Sequence, residues 1–231
     1  AGEYTLDGLL PGTYTVTVTP GTGTLSIDAS SSTGGDTQTV TLDSGETDLD
    51  IDFGYIRPAS IGDQLFVDNN ANGIFDAGDA GLGSVDIVLT GPGQGPAGTT
   101  QQTGPTGQYG FTDLTPGTYT VTVDTTDPDY VAIFGSGTEI STTGGNSQTL
   151  TVVSTDAIDT VDFGWYDPAS VGDFVFDDLN GDGTQDAGEP GIDGETVTLS
   201  GGDLAGPITT TTTAGAYAFT GLTPGDYDVT V

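Results

Sequence analysis

The sequence predicts an all-β protein made of tandem Ig-like β-sandwich repeats of about 110 residues, on three observations. First, the chain repeats itself. IGDQLFVDNNANGIFDAGDAGLG from Ile61 returns from Val171 as VGDFVFDDLNGDGTQDAGEPGID, 110 positions on, and IDFGYIRPAS from Ile51 returns as VDFGWYDPAS from Val161 at the same shift. A third stretch occurs three times, as GEYTLDGLLPGTYTVTV from Gly2, GQYGFTDLTPGTYTVTV from Gly107 and GAYAFTGLTPGDYDVTV from Gly215. Second, apolar residues alternate with polar ones at a period of two, the mark of half-buried strands. Third, Gly and Pro punctuate these runs at sandwich-like spacing, and helical periodicity is absent throughout.

The phase of the repeat divides the chain into residues 1–59, the C-terminal part of one repeat, 60–169, a complete repeat, and 170–231, the N-terminal part of the next. Starting and stopping at the same phase reads as a window of a longer protein. In the complete repeat strands are expected near 61–67, 84–90, 99–104, 107–113, 118–124, 147–153 and 158–166. Val85, Ile87 and Leu89 alternate with Ser84, Asp86 and Val88, and Tyr119, Val121 and Val123 alternate with Thr118, Thr120 and Thr122. Gly91-Pro92, Pro116-Gly117 and Gly144-Gly145 mark turns between them. Seven strands, an odd number, send the chain in at one pole and out at the other. With only Arg57-Pro58-Ala59-Ser60 and Asp167-Pro168-Ala169-Ser170 between repeats, a stiff end-to-end rod follows.

Composition narrows the chemistry. Gly (39) and Pro (12) make up about 22% of the 231 residues, below the level at which unpatterned chains read as disordered. The absence of Cys and His removes disulfides, thiolate and imidazole metal sites, cysteine nucleophiles and Ser-His-Asp hydrolases. With 34 acidic residues, one cation and a formal charge of −33, the chain repels nucleic acid and anionic lipid. No apolar run approaches the 18 residues of a membrane span, and no signal-peptide pattern opens the chain at Ala1. Neither nucleic-acid binding nor membrane insertion is expected.

One loop carries chemistry. After the first strand of the complete repeat comes Asp68-Asn69-Asn70-Ala71-Asn72-Gly73-Ile74-Phe75-Asp76-Ala77-Gly78-Asp79, and its copy is Asp178-Leu179-Asn180-Gly181-Asp182-Gly183-Thr184-Gln185-Asp186-Ala187-Gly188-Glu189. Oxygen side chains at positions 1, 3, 5, 9 and 12, with Gly at 6, follow the twelve-residue calcium loop of EF-hands. The expected ligands of Ca2+ are therefore Asp68, Asn70, Asn72, Asp76 and Asp79, and Asp178, Asn180, Asp182, Asp186 and Glu189. Ile74 and Thr184 would contribute backbone carbonyls, and Asp76 and Asp186 act directly or through water. An Asn/Asp/Gly-rich surface turn without metal is the competing reading. Two complete copies at one phase favour the ion, and the lack of helical flanks favours a structural staple over a sensor. Four acids against three make the 178–189 loop the tighter site, each loop being set in a complete repeat.

With the strand starts IGD and VGD, the DxNxDGxxDAGE loop, the GxYxFxxLxPGxYxV stretch and the FGWYDPASVGD junction, the sequence resembles the B-type repeats of bacterial serine-aspartate repeat surface proteins. These are calcium-binding members of the Cna B-like, prealbumin-like sandwiches. The resemblance implies an extracellular stalk of calcium-stiffened sandwiches that carries a binding head away from the cell. The lysine-to-asparagine cross-link of related Cna B-like domains is impossible in a chain without Lys. Their acidic segment before the sixth strand is here Thr143-Gly144-Gly145-Asn146 and Gly34-Gly35-Asp36, so further calcium sites of that kind are not expected.

Asp48, Asp50 and Asp52 alternate with Leu49, Ile51 and Phe53 and read as the solvated face of a strand. Asp63 and Asp173 either reach toward the loops or simply start strands. Tyr14, Tyr119 and Tyr227 read as core residues with a hydroxyl at the rim, and Trp165 as junction packing. Paired catalytic carboxylates are better explained by the metal pattern, so no enzyme is expected. The partners expected are neighbouring repeats of the same chain and other copies in a filament; a ligand-binding adhesion module or an accessory repeat of a secreted enzyme are the alternatives. The loop from Asp68 should sit at the pole where the last strand leaves, beside Asp167–Ser170.

Overall fold

A computed structural model describes residues 2–19, 30–31, 35–135 and 139–231. Up to residue 56 it contains β1 (Gly12–Thr17), β2 (Ser30–Ser31), β3 (Thr37–Leu42) and β4 (Tyr55–Ile56), with β1 antiparallel to β3 and β2 to β4. Next come β5 (Ala59–Val67), β6 (Ala80–Gly81), β7 (Asp86–Thr90), β8 (Thr99–Gln102), β9 (Gln108–Leu114) and β10 (Gly117–Val123). They are followed by helix α1 (Pro128–Phe134), β11 (Ile140–Ser141), β12 (Ser147–Val152), β13 (Ala157–Ile158) and β14 (Phe163–Tyr166). The last stretch holds β15 (Ala169–Phe174), β16 (Thr196–Gly201), β17 (Ile208–Thr211), β18 (Ala216–Leu222) and β19 (Tyr227–Thr230).

The tandem β-sandwich expected from the pattern is present. One sheet has the order β12-β10-β7-β8; the other has β11-β14-β5-β13, with β6 and β9 also bonded to β5. Alternation dictates what lies between them. Ile61, Leu65, Tyr109, Phe111, Phe163 and Trp165 from one sheet meet Ile87, Leu89, Tyr119, Val121 and Val123 from the other in a single core. Each such side chain contributes about 1.5–3 kcal/mol on burial. The next repeat uses the same plan: β15 pairs with β18 as β5 pairs with β9, and β16 lies between β17 and β19 as β7 lies between β8 and β10.

The first and last strands are parallel neighbours, with Phe163 beside Leu65 and Trp165 beside Val67. That relation fixes the poles. At the end where the chain enters, the Ser60 N–H donates to the Asp156 carbonyl at 2.9 Å, and the Arg57 N–H to Ser154 Oγ at 2.7 Å. At the end where it leaves, the Asp68 N–H donates to the Trp165 carbonyl at 2.8 Å. The loop that starts at Asp68 therefore lies beside the exit.

Tyr119 is buried, and its hydroxyl donates to the Thr115 carbonyl at 2.8 Å; Tyr14 does the same to Leu10 at 2.7 Å and Tyr227 to Thr223 at 2.9 Å. Three expectations need correction. The chain does contain a helix: Asp127 caps α1 by accepting the Asp129 N–H at 2.8 Å, and Pro128 opens it. Seven residues are too few for periodicity to register, and Tyr130 and Phe134 are held by the core. Residues 47–54 are not a strand, and no counterpart of β5 stands beside them among the described residues of 1–59; Leu49 is exposed, and the Asp50 N–H turns back to Asp48 Oδ1 at 2.9 Å. Trp165 belongs to the core, stacked on Phe163 at 6.0 Å and edge-on to Tyr130 at 5.5 Å. The motif position Gly34 lies outside the described residues.

Candidate metal centre

β5 ends at Val67, and the following twelve residues curl back toward β6. Every carboxylate and amide oxygen at positions 1, 3, 5 and 12 accepts a backbone N–H of the loop itself. Asp68 Oδ2 takes the Gly73 N–H at 2.7 Å and its Oδ1 the Asn72 N–H at 3.2 Å. Asn70 Oδ1 takes Asn72 N–H at 3.1 Å, and Asn72 Oδ1 takes Ile74 N–H at 2.7 Å. Asp79 closes the ring, Oδ1 on the Asn69 N–H and Oδ2 on the Asp76 N–H, both at 2.9 Å. Asp76 accepts the side-chain amides of Asn70 at 3.2 Å and Asn72 at 2.8 Å.

The second loop reproduces this scaffold. Asp178 Oδ2 accepts Gly183 N–H at 2.8 Å and Oδ1 accepts Gly181 N–H at 2.7 Å. Asn180 Oδ1 takes Asp182 N–H at 2.9 Å, and Asp182 Oδ1 takes Thr184 N–H at 2.8 Å. Glu189 bridges the Leu179 and Asp186 N–H groups at 3.0 Å each, and Asp186 accepts the Asn180 amide at 2.8 Å. Gly73 and Gly183 sit at φ 76° and 77°, the left-handed turn that position 6 demands. Position 4 is left-handed too, occupied by Ala71 (φ 58°) in one loop and Gly181 (φ 75°) in the other.

The loops differ in their surroundings. Asp68 is fully buried, whereas Asp178 is only partly covered. Segment 141–143 backs the first loop, a Cβ on Gly73 meeting the Thr142 carbonyl at 3.2 Å, and Phe75 packs on Phe66 at 5.4 Å. The N–H of Gly183 foremost, then those of Gly181, Asp182 and Asn180, hold the Asp178 carboxyl below the usual range against a smaller opposing effect of burial. The Ile74 side chain points to solvent, so its residue type is free at that position.

Among the described residues no three acidic side chains converge closely enough to hold a metal unaided. A cation in either loop depends as well on the Asn amides and on backbone carbonyls, an all-oxygen set suited to hard ions. Asp63 is not part of it. It lies opposite Tyr109 in mid-strand, about 16 Å along β5 from the loop at the usual rise per residue, and Asp173 lies opposite Tyr217 in the same way. What the sequence did not announce is the backing by Ser141–Thr143 and the position of Tyr166. This buried side chain has its hydroxyl pushed upward first by burial and then by the charges of Asp203, Tyr227 and Asp68. Charges of both the first loop and the following repeat thus reach it.

The fold and the duplicated loop together define a class of acidic, Lys-free β-sandwich repeats with an oxygen-lined loop at the exit pole. The SdrD B-like domain model matches residues 59–165 and 169–231, and the chain belongs to that family. Serine-aspartate repeat-containing protein F of Staphylococcus epidermidis is 37% identical over 180 residues, 76% of this chain and 11% of that protein. Serine-aspartate repeat-containing protein D of Staphylococcus aureus is 33% identical over 190 residues, 80% of this chain and 14% of that protein. The chain thus spans between a tenth and a seventh of these relatives. Among solved structures, the Bacillus anthracis TIE protein aligns over 84% of this chain and 32% of its own, at 13% identity and a TM-score of 0.37.

Proposed function

We propose that this chain is a structural, Ca2+-stabilised stretch of an extracellular stalk, adhesin or filament protein, with no catalytic role, and that its units are residues 1–59, 60–169 and 170–231. The observation that carries this reading is the recurrence of one hydrogen-bond scaffold in both loops, the first of them tied to the end of the last strand through Asp68 and Trp165. Membership of the SdrD B-like family supports it. Among the described residues no helix is long and apolar enough to cross a membrane.

In this reading Asp68, Asn70, Asn72, Asp76, Asp79 and the Ile74 carbonyl hold one ion, and Asp178, Asn180, Asp182, Asp186, Glu189 and the Thr184 carbonyl a second. The bound ion supplies positive charge to a chain that carries a net −33. The residues do the rest. The inward-turned carboxylates are already aimed by backbone N–H groups. Partners are the neighbouring repeats and other copies of the same protein.

The test is thermal unfolding of the 231-residue chain in calcium and in excess chelator, followed by the fluorescence of Trp165, the only Trp. The midpoint should rise with calcium and fall back with chelator, by linkage between binding and folding. An unchanged midpoint would sink the calcium reading.

A further inference from the structure

The last strand of the complete repeat does not run evenly beside the first. Ala157 and Ile158 pair with Ser60 and Ile61, and pairing resumes with Phe163 beside Leu65. Between these contacts the chain takes five steps from Ile158 to Phe163 against four from Ile61 to Leu65. The extra residue makes a bulge over 159–162, and such irregularities re-aim side chains. Here the bulge carries Asp159 and Asp162 against Asp63, which alternation places between the buried Ile61 and Leu65. Opposite Asp63 on β9 stands Tyr109, whose hydroxyl is committed to the Val161 carbonyl.

One observation shows that this cluster is short of a donor. Asp162 Oδ1 is a buried oxygen with no hydrogen-bond partner. A carboxyl proton on Asp63 supplies the missing donor. The two positions also repeat at the 110-residue shift, Asp63 as Asp173 and Asp162 as Asp52, so each repeat in the chain that contains one of these sites places Asp there. Neither position belongs to the metal loops, and neither is explained by the stalk function.

We infer that Asp63 and Asp162 share one proton and form an acid-closed clasp between the first and last strands of the repeat. Atoms balance simply: the proton comes from solvent, stays on the Asp63 carboxyl and is donated to Asp162. The groups facing the pair are Asp159 from the bulge, Tyr109 from β9 and the Gln64 backbone N–H, which donates to Asp162. All the titratable ones are acidic or phenolic, so nothing facing the pair compensates two negative charges. Burial first, then the charges of Asp162 and Asp159, raise the Asp63 carboxyl from 3.8 to about 6. Burial likewise raises Asp162. A folded-state value above the unfolded one means that the clasp stabilises fully below about pH 4 and loses its contribution as pH rises through about 6. The clasp thus makes the seam of the complete repeat firmer in mildly acidic surroundings.

The test uses the full chain in saturating calcium. Carboxyl carbon NMR of the unmodified protein should show one Asp titrating with a midpoint near 6, and Asp63→Asn should remove that resonance. Because Asn keeps a donor without the charge, Asp63→Asn should also flatten the fall in unfolding midpoint between about pH 4 and 6, and at pH 7 should melt above the unmodified chain. An Asp63 resonance with an ordinary midpoint, or an unaltered pH slope in Asp63→Asn, would overturn the clasp. So would a third calcium-binding event abolished by Asp63→Asn, which would make the cluster a metal site.

Discussion

Asp68 and Asp178 occupy the same position in nearly the same loop, yet truncating them should have different consequences. Asp68 is fully buried and accepts the N–H groups of Gly73 at 2.7 Å and Asn72 at 3.2 Å. In Asp68→Ala both donors lose that acceptor. The Asn72 N–H keeps Asn70 Oδ1, but the Gly73 N–H is left behind segment 141–143. One orphaned, half-buried donor costs about 1 kcal/mol, and the lost bond to a charged acceptor about 1.5–3 kcal/mol. The loss should be about 2–4 kcal/mol even in chelator, where calcium plays no part. Trp165 makes the measurement specific, since it lies in the core of the complete repeat. Urea unfolding of Asp68→Ala followed at Trp165 should show a midpoint lower by about 1–2 M for a typical slope, whereas Asp178→Ala should leave that transition in place. Equal shifts for the two variants, or a loss below about 1 kcal/mol for Asp68→Ala, would refute the argument from burial.

Other substitutions probe the same geometry. Ala71→Gly should stabilise the complete repeat by about 0.5–1 kcal/mol in the same urea assay, because Ala71 holds φ 58° where the second loop has Gly181. Gly164→Ala should lower the midpoint by the equivalent of about 1–3 kcal/mol, since a Cβ there lies 2.7 Å from both the Phe66 ring and Thr142 Oγ1. Tyr119→Phe gives up the bond to the Thr115 carbonyl and should cost about 1 kcal/mol, with the core otherwise unchanged. Calorimetric titration of single complete repeats should find tighter calcium binding to the 178–189 loop than to 68–79, and the reverse order would show that the rigid backing of the first loop outweighs charge.

Much of this protein is written in local patterns. The period-two alternation of residues 118–123 requires a sheet with one apolar face, and the order of oxygens and glycines in 68–79 requires a tight loop whose side chains turn inward. Both follow from neighbours along the chain, and both are found. Tertiary structure decided what depends on residues far apart. Whether position 1 of a loop is buried cannot be read from the loop, because the cover over Asp68 comes from β14 and segment 141–143. The break of the last strand into β13 and β14 depends on its register against β5, about 100 residues away, and only that register sets Asp162 against Asp63. Residues 47–54 show the reverse case, a run with strand-like alternation that stays irregular, with no neighbouring strand among the described residues. Alternation and loop chemistry are properties of a segment, whereas burial and charge coupling are properties of what packs against it.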